Sequence, residues 1–89
     1  MILRGAKLLQ FILRLPTVKT QTGYSRSTVY LRISQGLFVK PVRLGDRAVG
    51  WPAGDVAAMN AARIAGKSDA DIRVLVQQLE AARTVAAAA

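Results

Sequence analysis

Within the run Arg26-Ser27-Thr28-Val29-Tyr30 the chain sets one guanidinium and three hydroxyls directly behind a further hydroxyl, Ser25. Such groups donate hydrogen bonds to phosphate and carbonyl oxygens, and a guanidinium can do so with two parallel bonds. They are binding groups. Nucleophilic or acid–base chemistry built on His or Cys is excluded, because neither residue occurs in the sequence. The same absence removes disulfides and Cys/His zinc sites. The five acidic residues, Asp46, Asp55, Asp69, Asp71 and Glu80, are scattered, which argues against a carboxylate-built active site. An enzyme is not expected, and neither a cofactor nor a small-molecule ligand is expected.

The remaining cations agree with an anionic partner. Residues 1–45 hold eight basic residues and no acid, whereas residues 46–89 hold five of each, so the whole net charge of +8 lies in the first half. A one-sided basic surface is the electrostatic footprint of a polyanion binder.

The elements that must position these groups can be read from capping and periodicity. Residues 11–15 form a short β-prone run that stops at Pro16. Proline belongs in the first turn of a helix, and Thr17 is a candidate cap, so a short helix is expected over Thr17–Thr22. Gly23 suits its C-terminus. Ser25 is a good N-cap for a second helix over Arg26–Gln35, in which Val29 and Ile33 share one face. Gly36 ends it. Two helices joined by Gly23-Tyr24-Ser25 have the helix-turn-helix layout.

Residues 38–51 follow as a β-hairpin, with its turn at Leu44-Gly45-Asp46-Arg47 and Pro41 holding the first strand to an edge. A basic hairpin in that place is a wing. A third helix is expected over Asp55–Ala65, and Trp51 is expected to anchor the core between it and the wing. Ser68-Asp69-Ala70-Asp71 resembles a capping box and opens a last helix from Asp69 to about Thr84. Its stripe of Ile72, Leu75, Val76 and Leu79 either packs on its own domain or pairs with a second copy. Pairing is favoured, because the third helix offers mostly alanine as a docking surface. The expected fold is therefore mainly α with a small β-hairpin, a winged helix-turn-helix plus a C-terminal helix. Its parts are an N-terminal extension (1–10), the winged domain (11–66) and a C-terminal amphipathic helix with an alanine tail (67–89).

At 89 residues there is room for one domain and none for a Rossmann domain, a barrel or a kinase. No charge-free run exceeds seven residues, against about 20 needed to span a bilayer. The apolar stretch Leu8–Leu13 is short, contains Gln10 and is closed by Arg14, which does not suit a secretory signal. A cytoplasmic protein without a membrane partner is expected.

The second helix of a helix-turn-helix fits the major groove and presents one face to base edges, its first residues making the closest approach. Here those are Ser25, Arg26, Ser27 and Thr28, with Tyr30 one turn later. Residues 13–51 resemble the AlpA family of small phage-associated transcriptional regulators, which are related to excisionases and to MerR-like winged helix-turn-helix domains. The resemblance rests on Leu15-Pro16 with Val18, Thr22-Gly23, Ser25–Tyr30, Gly36 with Phe38, Pro41-Val42, Leu44-Gly45, Arg47, Trp51 and Asp55-Val56. The sequence departs from the family pattern at Val39, where proline is usual, at Leu31-Arg32, where basic precedes apolar, and at Met59, where an aromatic is common.

The resemblance implies sequence-specific binding to double-stranded DNA at a promoter or attachment region of a mobile element. It places Arg26, Ser27, Thr28 and Tyr30 nearest the bases, Lys40, Arg43 and Arg47 on the wing, and Lys19 and Ser25 on phosphates. Arg32, three residues from Val29 at the margin of the buried stripe, snorkels to a phosphate on this reading. Two other classes remain open: a DNA-architectural, excisionase-like recombination accessory factor, and a protein–protein module whose basic half only solubilises it.

Overall fold

The computed structural model describes residues 11–88, with side chains through Thr84. The extension assigned to residues 1–10, and Ala89, lie outside the described residues. In chain order the elements are β1 (Ile12–Leu13), α1 (Leu15–Thr22), α2 (Arg26–Ser34), β2 (Val42–Arg43), β3 (Val49–Pro52), α3 (Ala53–Ile64) and α4 (Asp69–Ala88). This is the expected fold class, helices around a small antiparallel sheet, with one strand more than the hairpin required. The sheet order is β1-β3-β2. β2 and β3 form the wing, in register Val42 to Gly50 and Arg43 to Val49. β1 adds on the far side, Ile12 to Pro52 and Leu13 to Trp51. Nothing local announces that pairing, since its partners lie almost 40 residues apart.

Most element boundaries follow from the capping residues. α2 starts where Ser25 Oγ accepts the Thr28 N–H at 3.2 Å. It ends in a Schellman motif, with the Leu37 N–H donating to Arg32 O at 2.8 Å and the Gly36 N–H to Ile33 O at 3.0 Å. The turn before it is possible because Gly23 takes φ 77°, a left-handed conformation that costs a side chain but not glycine.

Three helix boundaries differ from the sequence reading by two residues or more. α1 begins at Leu15, not Thr17. Arg14 O accepts the Thr17 and Val18 N–H groups at 3.0 and 3.1 Å, and Pro16 supplies the fixed φ of a first turn. Thr17 therefore is not the cap. α3 starts at Ala53, straight out of β3, because the Ala53 N–H extends the β1 ladder by donating to Phe11 O at 2.7 Å. α4 continues to Ala88 instead of ending near Thr84, through alanine, the best intrinsic helix former.

Val18, Val29, Leu37, Phe38, Val39, Trp51, Val56, Met59, Ala62, Ile72 and Val76 make the core. Trp51 is its centre, as expected, with Nε1 donating to Val39 O at 3.0 Å so that its one polar atom is satisfied. Of the two destinations left open for the stripe Ile72, Leu75, Val76 and Leu79, the structure shows packing on its own domain. Ile72 is 0% exposed and Val76 is buried in the same core, while Leu75 and Leu79 pack against it half-buried. The alanines of α3 do not leave α4 without a seat. Val56, Met59 and Ala62 form an apolar floor, and polar ties hold the helix at its rim. Arg83 meets Asp55 Oδ2 through Nε at 2.9 Å and Nη2 at 2.8 Å, and Arg63 approaches Asp69 at 3.5 Å. Arg73 Nε donates to Gln35 O at 2.9 Å, and the Lys40 N–H donates to Glu80 Oε2 at 2.9 Å.

Candidate nucleic-acid interface

The first residues of α1 and α2 converge on one groove of about 350 Å³, lined by Arg14, Leu15, Pro16, Arg26, Tyr30, Arg47 and Val49. Arg14 is the N-cap residue of α1, and Arg26 is the first residue of α2. Neither helix has an acidic residue in its first turn. A helix N-terminus carries the positive end of the macrodipole and disfavours a nearby cation. Two such ends, each with its own arginine, face Arg47 of the wing across the same groove. Among the described residues no acid lines it. The arrangement concentrates positive charge, which is the kind of site that suits an anion.

Arg26 and Tyr30 are one turn apart on α2, and the Arg26 guanidinium lies over the Tyr30 ring at 5.8 Å. Tyr30 in turn meets Trp51 edge to face at 6.2 Å, so the core fixes the ring that supports Arg26. Arg43 pairs with Val49, which lines the groove, and alternation puts Arg43 on that same face of the sheet. Ser27 is exposed beside them.

The other expected residues fall elsewhere. Ser25 Oγ serves the cap and also donates to Thr28 Oγ1 at 2.9 Å, which turns half-buried Thr28 toward the cap. Arg32 is half-buried on a different side of α2, with its guanidinium over Tyr24 at 5.9 Å; Tyr24 packs edge to face on Phe38. Its Nε has no hydrogen-bond partner among the described residues. Arg32 is thus separated from Arg26 and Tyr30, consistent with its place at the stripe margin. Lys19 is exposed in the last turn of α1. Lys40 is exposed at the root of the wing, beside a second groove it shares with Glu80 and Arg73 of α4, and does not line the Arg14–Arg26–Arg47 groove.

Two residues escaped the sequence reading. Arg14 had a usable signal, a cation just ahead of a proline-marked helix start, where capping chemistry favours an acid or a hydroxyl. Leu31 is exposed on α2, and nothing in a local apolar residue tells whether it points inward.

A short helix, a three-residue turn, a capped second helix and a basic hairpin behind it define a winged helix-turn-helix domain. The chain belongs to the AlpA family: the model of the family described as prophage CP4-57 regulatory protein (AlpA) matches residues 11–63. That span covers every element through most of α3 and leaves α4 outside it. The uncharacterized protein ORF88 of Enterobacteria phage P4 is 46% identical over 55 residues, which are 62% of this chain and 62% of that protein. No solved structure matches the chain significantly. The family is a regulatory one, and no helix among the described residues is long and apolar enough to cross a membrane.

Proposed function

We propose that this protein is a sequence-specific DNA-binding transcriptional regulator of a phage or other mobile element, acting in the cytoplasm. Residues 11–66 are the DNA-binding unit and α4 is its buttress. α2 enters the major groove, and the wing meets the backbone or the minor groove. One observation carries this reading: Arg14, Arg26 and Arg47 surround a single acid-free groove at two helix N-termini. A polyphosphate backbone supplies the anion that such a groove lacks. Membership in a prophage regulatory family supports the same reading.

The roles divide by position. Arg26, Ser27 and Tyr30 lie closest to bases. Arg14, Lys19, Arg43 and Arg47 grip phosphates, and Lys40 reaches one at the root of the wing. Ser25 and Thr28 hold the start of α2, where main-chain N–H groups face a phosphate.

Arg14, Lys19, Arg26, Lys40, Arg43 and Arg47 are all exposed. If most of them meet phosphates, affinity falls with salt on a log–log slope of about −5, near −0.9 for each contact. The test is fluorescence anisotropy on a selected duplex from low to physiological salt. A slope near zero overturns the reading. A promoter fusion carrying that duplex then tests regulation directly.

A further inference from the structure

We propose that Leu31 is a specificity-determining residue that recognises the C5-methyl group of a thymine in the major groove. The proposal rests on α2 being the DNA-reading helix. At about 100° per residue, the side of α2 opposite buried Val29 presents Ser27, Leu31 and Ser34. Leu31 is 54% exposed.

The polar groups nearest it are two short serine hydroxyls. Ser34 Oγ donates to Leu31 O at 2.6 Å, and Ser27 Oγ lies 3.2 Å from Ser25 Oγ. Arg26 is drawn over Tyr30 toward the groove beside the wing. The outermost surface of the helix thus carries short hydroxyls beside one large aliphatic group, Leu31.

The neighbours of Leu31 decide what it can meet. One turn away in either direction stand Ser27, Thr28, Ser34 and Gln35, all polar. A lone leucine in that setting is not a seam for another protein, which needs several apolar side chains together. The major groove offers one apolar feature at base edges, the thymine methyl, and aliphatic side chains discriminate by covering it.

The test uses the full chain and the duplex it selects from a randomised pool. Each thymine is replaced singly by deoxyuridine, which removes only the methyl group. For the natural chain, one position loses affinity about four-fold, the worth of one buried methyl-sized group. Leu31→Ala binds the thymine duplex about four-fold more weakly and is indifferent to deoxyuridine at that position. Because Leu31 is exposed, its thermal midpoint stays unchanged, which separates lost recognition from lost folding. The Leu31 assignment is overturned if no thymine position shows a penalty that Leu31→Ala abolishes while the chain still selects a sequence. If the chain selects no sequence and binds no duplex, the DNA-reading assignment of α2 falls, and this proposal with it.

Discussion

Ile72→Ala tests whether α4 completes the core of its own domain. Ile72 is 0% exposed and sits among the residues around Trp51. The change removes three carbon atoms, about 2.4 kcal/mol of transfer free energy. The cavity left behind adds to that, because neighbours on α3 and the sheet collapse only partly. Ile→Ala changes in cores span about 2–5 kcal/mol, and ~3 kcal/mol is expected here. A chain of this size has a total stability of roughly 4–13 kcal/mol, so the loss is a large fraction of it. With a urea m-value of about 1 kcal/mol/M, the midpoint should drop by roughly 3 M. The control is Val74→Ala on the same helix, 51% exposed, which should stay within about 0.5 kcal/mol. Because the packing is intramolecular, the shift should be the same at every protein concentration. Equal midpoints for the two variants, or a shift that vanishes on dilution, would refute the assignment and return the stripe to a seam between copies.

Asp55→Ala should cost about 3 kcal/mol in urea unfolding by stranding Arg83, and Arg83→Met added to it should recover much of that loss. Ser25→Ala removes the side-chain acceptor for the Thr28 N–H and should lower stability by about 1 kcal/mol, read as a lower thermal midpoint. Arg26→Ala should weaken binding to the selected duplex by about 1–3 kcal/mol and relax base preference in a repeated selection. Arg43→Ala should weaken selected and random duplexes alike. Equal losses on both for Arg26→Ala would instead make it a phosphate clamp.

The sequence discloses best what is decided within a few residues. Ser25 as a cap, Gly23 and Gly36 as stops and the hairpin turn near Gly45 are short-range choices, and each stands where local chemistry puts it. Trp51 as the core anchor was readable from its size and from its position between wing and helix. Long-range consequences were hidden. The pairing of β1 with β3 depends on partners almost 40 residues apart, and it also moves the start of α3. The choice of α4 between its own domain and a second copy depends on the relief of α3, which an alanine-rich sequence understates. At the candidate interface, the start of α2 was identifiable from its cap. Arg14 joins it only because α1 begins two residues early and sweeps that side chain into the groove. Lys40 leaves the main groove because its main chain is tied to Glu80.

The polar ties that reach α1, the end of α2 and the root of the wing have a common form. Glu80, Trp51, Asn60 and Arg73 each reach a main-chain atom: the N–H of Lys40 and the carbonyls of Val39, Gln21 and Gln35. The side chains belong to β3, α3 and α4, and the main-chain atoms belong to α1, to the end of α2 and to the root of the wing. A mutation that changes the side chain at position 21, 35 or 40 leaves the tied atom in place. The scaffold thus grips the parts that carry the candidate interface by groups common to nearly every amino acid. On the proposed function, a new target sequence can be acquired by exchanging exposed side chains without reopening the question of how the domain holds together. Regulators of mobile elements that must follow changing target sites would gain from that separation, because evolvability and stability then reside in different atoms.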